Sequence, residues 1–83
     1  MSFQEEVIEL LKKTAGDLFK IDPAALNGDT NFQDDLHCKS VDLVRITAAL
    51  EDEYDVEVPF MAFKRCATFA QAAAYMSELT GIE

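Results

Sequence analysis

The residues able to do chemistry gather in one stretch, Phe32 to Ile46, which reads FQDDLHCKSVDLVRI. Ser40, His37 and either Asp34 or Asp35 have the composition of a hydrolytic triad. All lie close in sequence, however, and no segment supplies oxyanion donors or a substrate pocket, so an independent hydrolase is disfavoured. His37, Cys38 and the distant Cys66 are three possible zinc ligands without paired spacing, and a loop histidine beside a small thiol is the plainer reading. The run DTNFQDDLHCKS resembles a calcium loop only superficially. Counting from Asp29, it puts Asp34 where the sharp turn needs Gly and Ser40 where a chelating Glu belongs. What remains is Ser40 itself, at the point where a polar loop becomes an amphipathic helix. Either it caps that helix, which is worth about 1 kcal/mol, or it presents its hydroxyl to chemistry from outside.

The elements that position this serine are helical. Ser2 followed by Glu5 is a capping-box pattern, and Phe3, Val7, Leu10, Leu11, Thr14 and Leu18 then share one side of a helix over residues 3–18. Residues 20–39, with Pro23, Gly28 and several Asp and Asn, read as a loop with one short turn at 23–26. So long a connection in a small domain marks a functional loop. Helical spacing returns from Ser40 to Tyr54, with Leu43, Ile46, Thr47, Leu50 and Tyr54 on one face. Pro59 opens a short third helix through Arg65. Thr68 and Gln71 repeat the capping-box pattern, before a fourth helix whose inner side is Phe69, Ala72, Ala73, Met76 and Leu79 and which stops before Gly81. The expected fold is all-α: a small four-helix bundle of three main helices plus a short third helix, with a long first loop.

At 83 residues, 49% of them hydrophobic, the chain makes one domain over 1–83 with one core. Sixteen acids against seven bases give a formal net charge of -9, which repels phosphate backbones and anionic lipid. Nucleic acid is therefore excluded as a direct partner. A protein with a basic patch is the fitting one, although the charge also serves simple solubility. No run is long enough to insert in a membrane, and the N-terminus lacks the order of a signal peptide. Two cysteines fit reduced thiols rather than a disulfide framework, and the expected setting is cytoplasmic, with the chain a monomer.

The helix that starts at Ser40 carries more apolar surface than its core face needs. Val41, Val44 and Ala48 form a second stripe, beside Lys39, Asp42, Arg45, Glu51 and Asp52. An apolar strip rimmed by charge is a docking surface, or else a helix with two buried sides. Periodicity leaves both open.

The segment FQDDLHCKSVDLVRITAALEDEYDVEVP resembles the acyl carrier protein family: an aromatic, a short acidic stretch and Leu, a serine opening a helix, an acidic turn and Val-Pro. Phe32, Asp34, Asp35, Leu36, Ser40, Asp42, Leu50, Glu51, Tyr54, Val58 and Pro59 carry the likeness, and the flanking helices match that family's arrangement over nearly the whole chain. The resemblance implies a carrier and not an enzyme. It makes Ser40 the attachment point of 4'-phosphopantetheine, moved from coenzyme A by a phosphopantetheinyl transferase, usually with magnesium. Acyl groups then ride on the arm as thioesters, exchanged with acyl-processing enzymes such as a ligase, synthase or acyltransferase. The inward residues Ile46, Leu50, Phe63 and Met76 are those expected near a sheltered acyl chain, unless Phe60, Phe63 and Phe69 fill that space.

This chain departs from the family pattern at its recognition surface. Lys39 stands where an acid usually precedes the serine, Val41 replaces Leu, Arg45 sits where acids are common, and Phe60, Met61 and Lys64 occupy a usually acidic third helix. The partner surface is thus Lys39, Val41, Asp42, Val44, Arg45, Ala48, Glu51, Asp52, Phe60 and Met61. Its character points away from general fatty acid synthesis and toward a dedicated fatty acid, polyketide or other specialised acyl pathway. An aminoacyl or small-acid carrier, and an unmodified helical interaction module of the same fold, are the alternatives.

Overall fold

The capping residues at the start of the chain act as their pattern dictates. In the structure, a computed structural model that describes residues 2–82, Ser2 Oγ accepts from the Glu5 N–H at 3.2 Å, and Glu5 Oε1 accepts from the Ser2 N–H at 3.3 Å. Met1 and Glu83, the ends of the expected 1–83 domain, lie outside the described residues. Helix α1 (Phe3–Phe19) follows and ends at Lys20, in the left-handed region at φ 58°, whose N–H returns to the Gly16 carbonyl. Gly16 is required there by crowding. A Cβ would come within 2.8 Å of the Ile21 carbonyl oxygen and 2.9 Å of Pro23 Cγ, so the chain can fold back tightly only past a glycine.

Among the described residues three further α-helices follow: α2 (Ser40–Tyr54), the five-residue α3 (Phe60–Lys64) and α4 (Phe69–Thr80). Helix α1 packs chiefly on α4 and then on α2, while α3 is held against α2. This is the small all-α bundle the sequence implied, with its long first loop between α1 and α2. The turn at Pro23–Ala25 is 3-10, started by Asp22, whose Oδ1 accepts from the Ala24 N–H at 3.0 Å. Gly81, at φ 74°, ends α4 as a left-handed cap.

The core is assembled from one ridge of each helix plus the loop. Phe3, Val7, Leu11 and Ala15, spaced by four, form the buried ridge of α1. Leu10, Thr14 and Leu18, expected on the same inner side, are half-buried instead. They form the next row around, on the side that faces the α1–α2 cleft. Leu43, Ile46, Thr47 and Leu50 of α2 are buried as expected, with the Thr47 hydroxyl donating to the Val44 carbonyl at 2.9 Å. In α4, Phe69, Ala72, Ala73 and Met76 face inward. Leu79 does not, because α4 has run past the core by its last turn.

Acid crowding at the end of α2 sets a stability signature. Among the described residues the one ion pair is Lys12 Nζ to Glu9 Oε1 at 3.2 Å, so Glu51, Asp52, Glu53, Asp55 and Glu57 have no cationic partner. Salt should screen their repulsion. The melting temperature is expected to rise by about 2–4 °C between low and physiological ionic strength, the equivalent of about 0.5 kcal/mol in a domain this size. A flat or falling curve in a thermal scan would show that these acids do not oppose folding.

Candidate functional site

The loop that delivers Ser40 is ordered by one asparagine and strapped by the start of α4. Asn31 Oδ1 accepts from the Gln33 and Asp34 N–H groups, both at 2.9 Å, and the Asn31 N–H donates to Asp35 Oδ2 at 2.7 Å. The Leu36 N–H returns to the Asn31 carbonyl at 3.2 Å, and the Cys38 N–H to the Phe32 carbonyl at 2.9 Å. The segment is therefore a closed, internally bonded turn rather than a free loop. Three backbone hydrogen bonds tie it and the residues before it to the α4 entrance: Phe32 N–H to Ala67 O at 2.9 Å, Phe69 N–H to Thr30 O at 3.1 Å and Ala70 N–H to Gly28 O at 2.8 Å. Leu26, Phe32, Leu36 and Cys38 are the buried anchors beneath.

Ser40 emerges from this turn exposed, as the first residue of α2. The helix cap is Lys39, extended at φ -97° and ψ 171°, whose side chain has no acceptor to offer. Asp42 takes over from inside the helix: its Oδ2 accepts from the Lys39 N–H at 2.9 Å. Ser40 is thus not the N-cap residue. Among the described residues its hydroxyl engages in no hydrogen bond, and the N–H groups of Ser40 and Val41 have no protein acceptor.

The other chemically able residues do not converge on it. His37 is exposed in the left-handed region at φ 52°, Asp35 accepts from the Asn31 N–H, and among the described residues no side-chain hydrogen bond joins His37 to Ser40, Asp34 or Asp35. Among the described residues no group of three His, Cys, Asp or Glu is arranged to hold a metal ion. Both thiols are free. Burial, then the neighbouring Asp42 carboxylate, push the Cys38 thiol up to about 11, and burial raises that of Cys66, which makes both poor nucleophiles near neutral pH.

The second stripe of α2 is open to solvent. Val41 is 55% exposed and Val44 51%, and Ala48 is exposed beside them. On α3, Met61 is 66% exposed and Phe60 half-buried. Lys39, Arg45 and Asp52 are exposed around these apolar groups, so α2 does not have two buried sides. Asp42 and Glu51 are half-buried and have structural duties. Asp42 closes the cap, and Glu51 Oε2 accepts from the Val58 N–H at 2.8 Å, fixing the turn into α3. Glu51, expected at the partner surface, is in this respect part of the scaffold.

Ile46, Leu50, Phe63 and Met76 lie at the centre of the bundle, each at most 1% exposed. Phe32 meets Phe63 edge-on at 5.6 Å between centroids and tilts against Phe69 at 5.1 Å. Aromatic side chains therefore occupy the interior in this conformation, and of the three phenylalanines expected to do so only Phe60 stays near the surface. Sequence reasoning did not single out Asn31 or the strap from Ala67 to Ala70. An asparagine three residues before a pair of aspartates was the available signal for the first. Nothing local marked the second.

With this geometry in view, the chain's relatives are informative. A family model described as "Phosphopantetheine attachment site" matches residues 9–76. The chain is 32% identical over 78 residues to the acyl carrier protein of Lactobacillus acidophilus, covering 94% of this chain and 98% of that protein. It is 30% identical over 78 residues to the acyl carrier protein of Prochlorococcus marinus, with the same coverage. The class is thus a helical carrier of a covalently attached 4'-phosphopantetheine group, and not an enzyme. The chain belongs to the acyl carrier protein family. As a member it works with a phosphopantetheinyl transferase and with acyl-processing enzymes. No helix among the described residues is long and apolar enough to cross a membrane.

Proposed function

We propose that Ser40 is the residue that takes the 4'-phosphopantetheine group, and that the loaded protein is a dedicated carrier for a specialised acyl pathway of fatty acid or polyketide type. The exposed, unpartnered hydroxyl at the first position of a fifteen-residue helix carries the first half. The free N–H groups of Ser40 and Val41, together with the positive end of the helix, favour a phosphodiester on that oxygen. In the attachment step Ser40 Oγ displaces adenosine bisphosphate from the pyrophosphate of coenzyme A. The Oγ–P bond forms, a P–O bond of the pyrophosphate breaks, and the serine proton leaves to a base on the transferase. When bound, the group supplies a terminal thiol that holds acyl units as thioesters. The chain itself keeps the serine clear of its own side chains and fixes its position through Asn31, Phe32 and the Asp42 cap.

The surface beside Ser40 supports the second half. Lys39 and Arg45 flank the exposed Val41, Val44 and Ala48, so a cognate partner should present an acid opposite at least one of these bases. The double substitution Lys39→Asp and Arg45→Glu is expected to raise acyl transfer by a general fatty acid synthase enzyme and to lower it with a cognate enzyme, by about five- to tenfold in each direction. Circular dichroism should show the helices unchanged, because both side chains are exposed. Equal rates with both enzymes would place specificity elsewhere and remove the argument for a dedicated partner.

A further inference from the structure

Apart from Arg45 on its rim, the cleft between α1 and α2 is not used by the reading above. It is an open depression of about 330 Å³ lined by Leu10, Lys13, Thr14, Asp17 and Leu18 of α1 and by Arg45 of α2. Its lining is half-buried aliphatic and threonine side chains, and its rim has two cations and one anion, against a net charge of -9 for the whole chain. Among the described residues neither Lys13 nor Arg45 forms an ion pair. The nearby Asp42 carboxylate, one turn before Arg45, is bound to the Lys39 N–H. The geometry points to this cleft as a docking site for an acidic, apolar-anchored helix of a partner enzyme, one carboxylate lying between Lys13 and Arg45 and an adjacent apolar side chain seated on Leu10 and Leu18.

Shape separates this occupant from a small metabolite. Small-molecule sites enclose most of their ligand, whereas this cleft is open and at the lower end of their size range. A partner helix brings its own second wall and needs only a groove. Position fits as well: Arg45 is five residues along α2 from Ser40, about 7.5 Å of axial rise, and shares a side of the helix with the exposed Val41 at i, i+4. A partner working at the arm is within reach of the cleft. The inference rests on the carrier reading for the identity of the partner as an acyl-processing enzyme, but its test does not need the arm.

The test is an amide-shift titration of the full chain, with Ser40 both intact and replaced by Ala, using a synthetic helical peptide with one Glu set between two Leu at i-3 and i+4. Shifts are expected at residues 10–18 and around residue 45, in both forms of the protein. Lys13→Glu should weaken binding about fivefold, the scale of an exposed ion pair. Lys64→Glu, the same change in net charge on α3, should not. Equal binding of a peptide with Lys in place of Glu would overturn the proposal, as would shifts confined elsewhere or equal losses in the two variants. Saturable binding of octanoate in the cleft with no response to the peptide would make it a small-molecule site instead. Because the Ser40→Ala form is included, failure of the attachment assignment leaves this result readable on its own.

Discussion

Replacing Ser40 with Ala is expected to abolish loading while leaving stability unchanged. Incubation of the wild type with coenzyme A, magnesium and a broad transferase should add one group of about 340 Da by intact mass, mapped by fragmentation to the peptide holding Ser40. The Ser40→Ala protein should gain nothing. Its unfolding free energy should move by no more than about 0.5 kcal/mol, as for exposed sites without structural duties. That second number discriminates. Were the serine an N-cap, alanine would cost about 0.5–2 kcal/mol; here Lys39 holds the cap position, Asp42 supplies the carboxylate that closes it, and the Ser40 hydroxyl has no partner among the described residues. Loading of Ser40→Ala, or a wild type that several transferases leave untouched, would end the attachment assignment.

The largest stability effect should come from Phe63. Its side chain is fully buried and meets Phe32 edge-on. Helix α3 has only five residues, too few to hold itself together, so its place depends on what it buries. Phe63→Ala is expected to cost about 3–5 kcal/mol in urea unfolding, combining lost transfer energy with the cavity left beside Phe32. That is a large share of the total stability of a small domain. Phe60→Ala, at a half-buried position, should cost about 1 kcal/mol. A loss below about 1 kcal/mol for Phe63→Ala would mean that the aromatic interior relaxes around the gap, and with it that the interior can readily open for an acyl chain.

Features governed by a few neighbouring residues could be read directly from the sequence. The Ser2–Glu5 capping box, the Gly81 stop and most of the buried faces of α2 and α4 occur as expected, with Tyr54 half-buried at the end of α2. Each depends on helical periodicity or on hydrogen bonds spanning three or four residues, and these are encoded locally. Competition within one turn settled one alternative: the residue type of Ser40 suits a cap, but Lys39 holds that position, its N–H bonded to Asp42. The Thr68–Gln71 pattern formed only half a box. Thr68 Oγ1 accepts from the Gln71 N–H at 3.2 Å, while Gln71 Oε1 takes the Ala67 N–H at 2.8 Å, beside the carbonyl that holds Phe32.

Ser40 as the residue that opens α2, the acidic charge and the helical elements were thus determined by the sequence alone. Tertiary structure decided which apolar rows became interior and which became surface. Leu10, Thr14 and Leu18 have the right spacing for a core, yet line a cleft opposite Arg45, while Val41 and Val44 stay open to solvent and Glu51 turns inward to Val58. Periodicity gives the angle of a side chain about its own helix axis, but not what stands opposite. That is set by how the helices pack on one another, and by a loop strapped to a helix entrance more than thirty residues away in the chain.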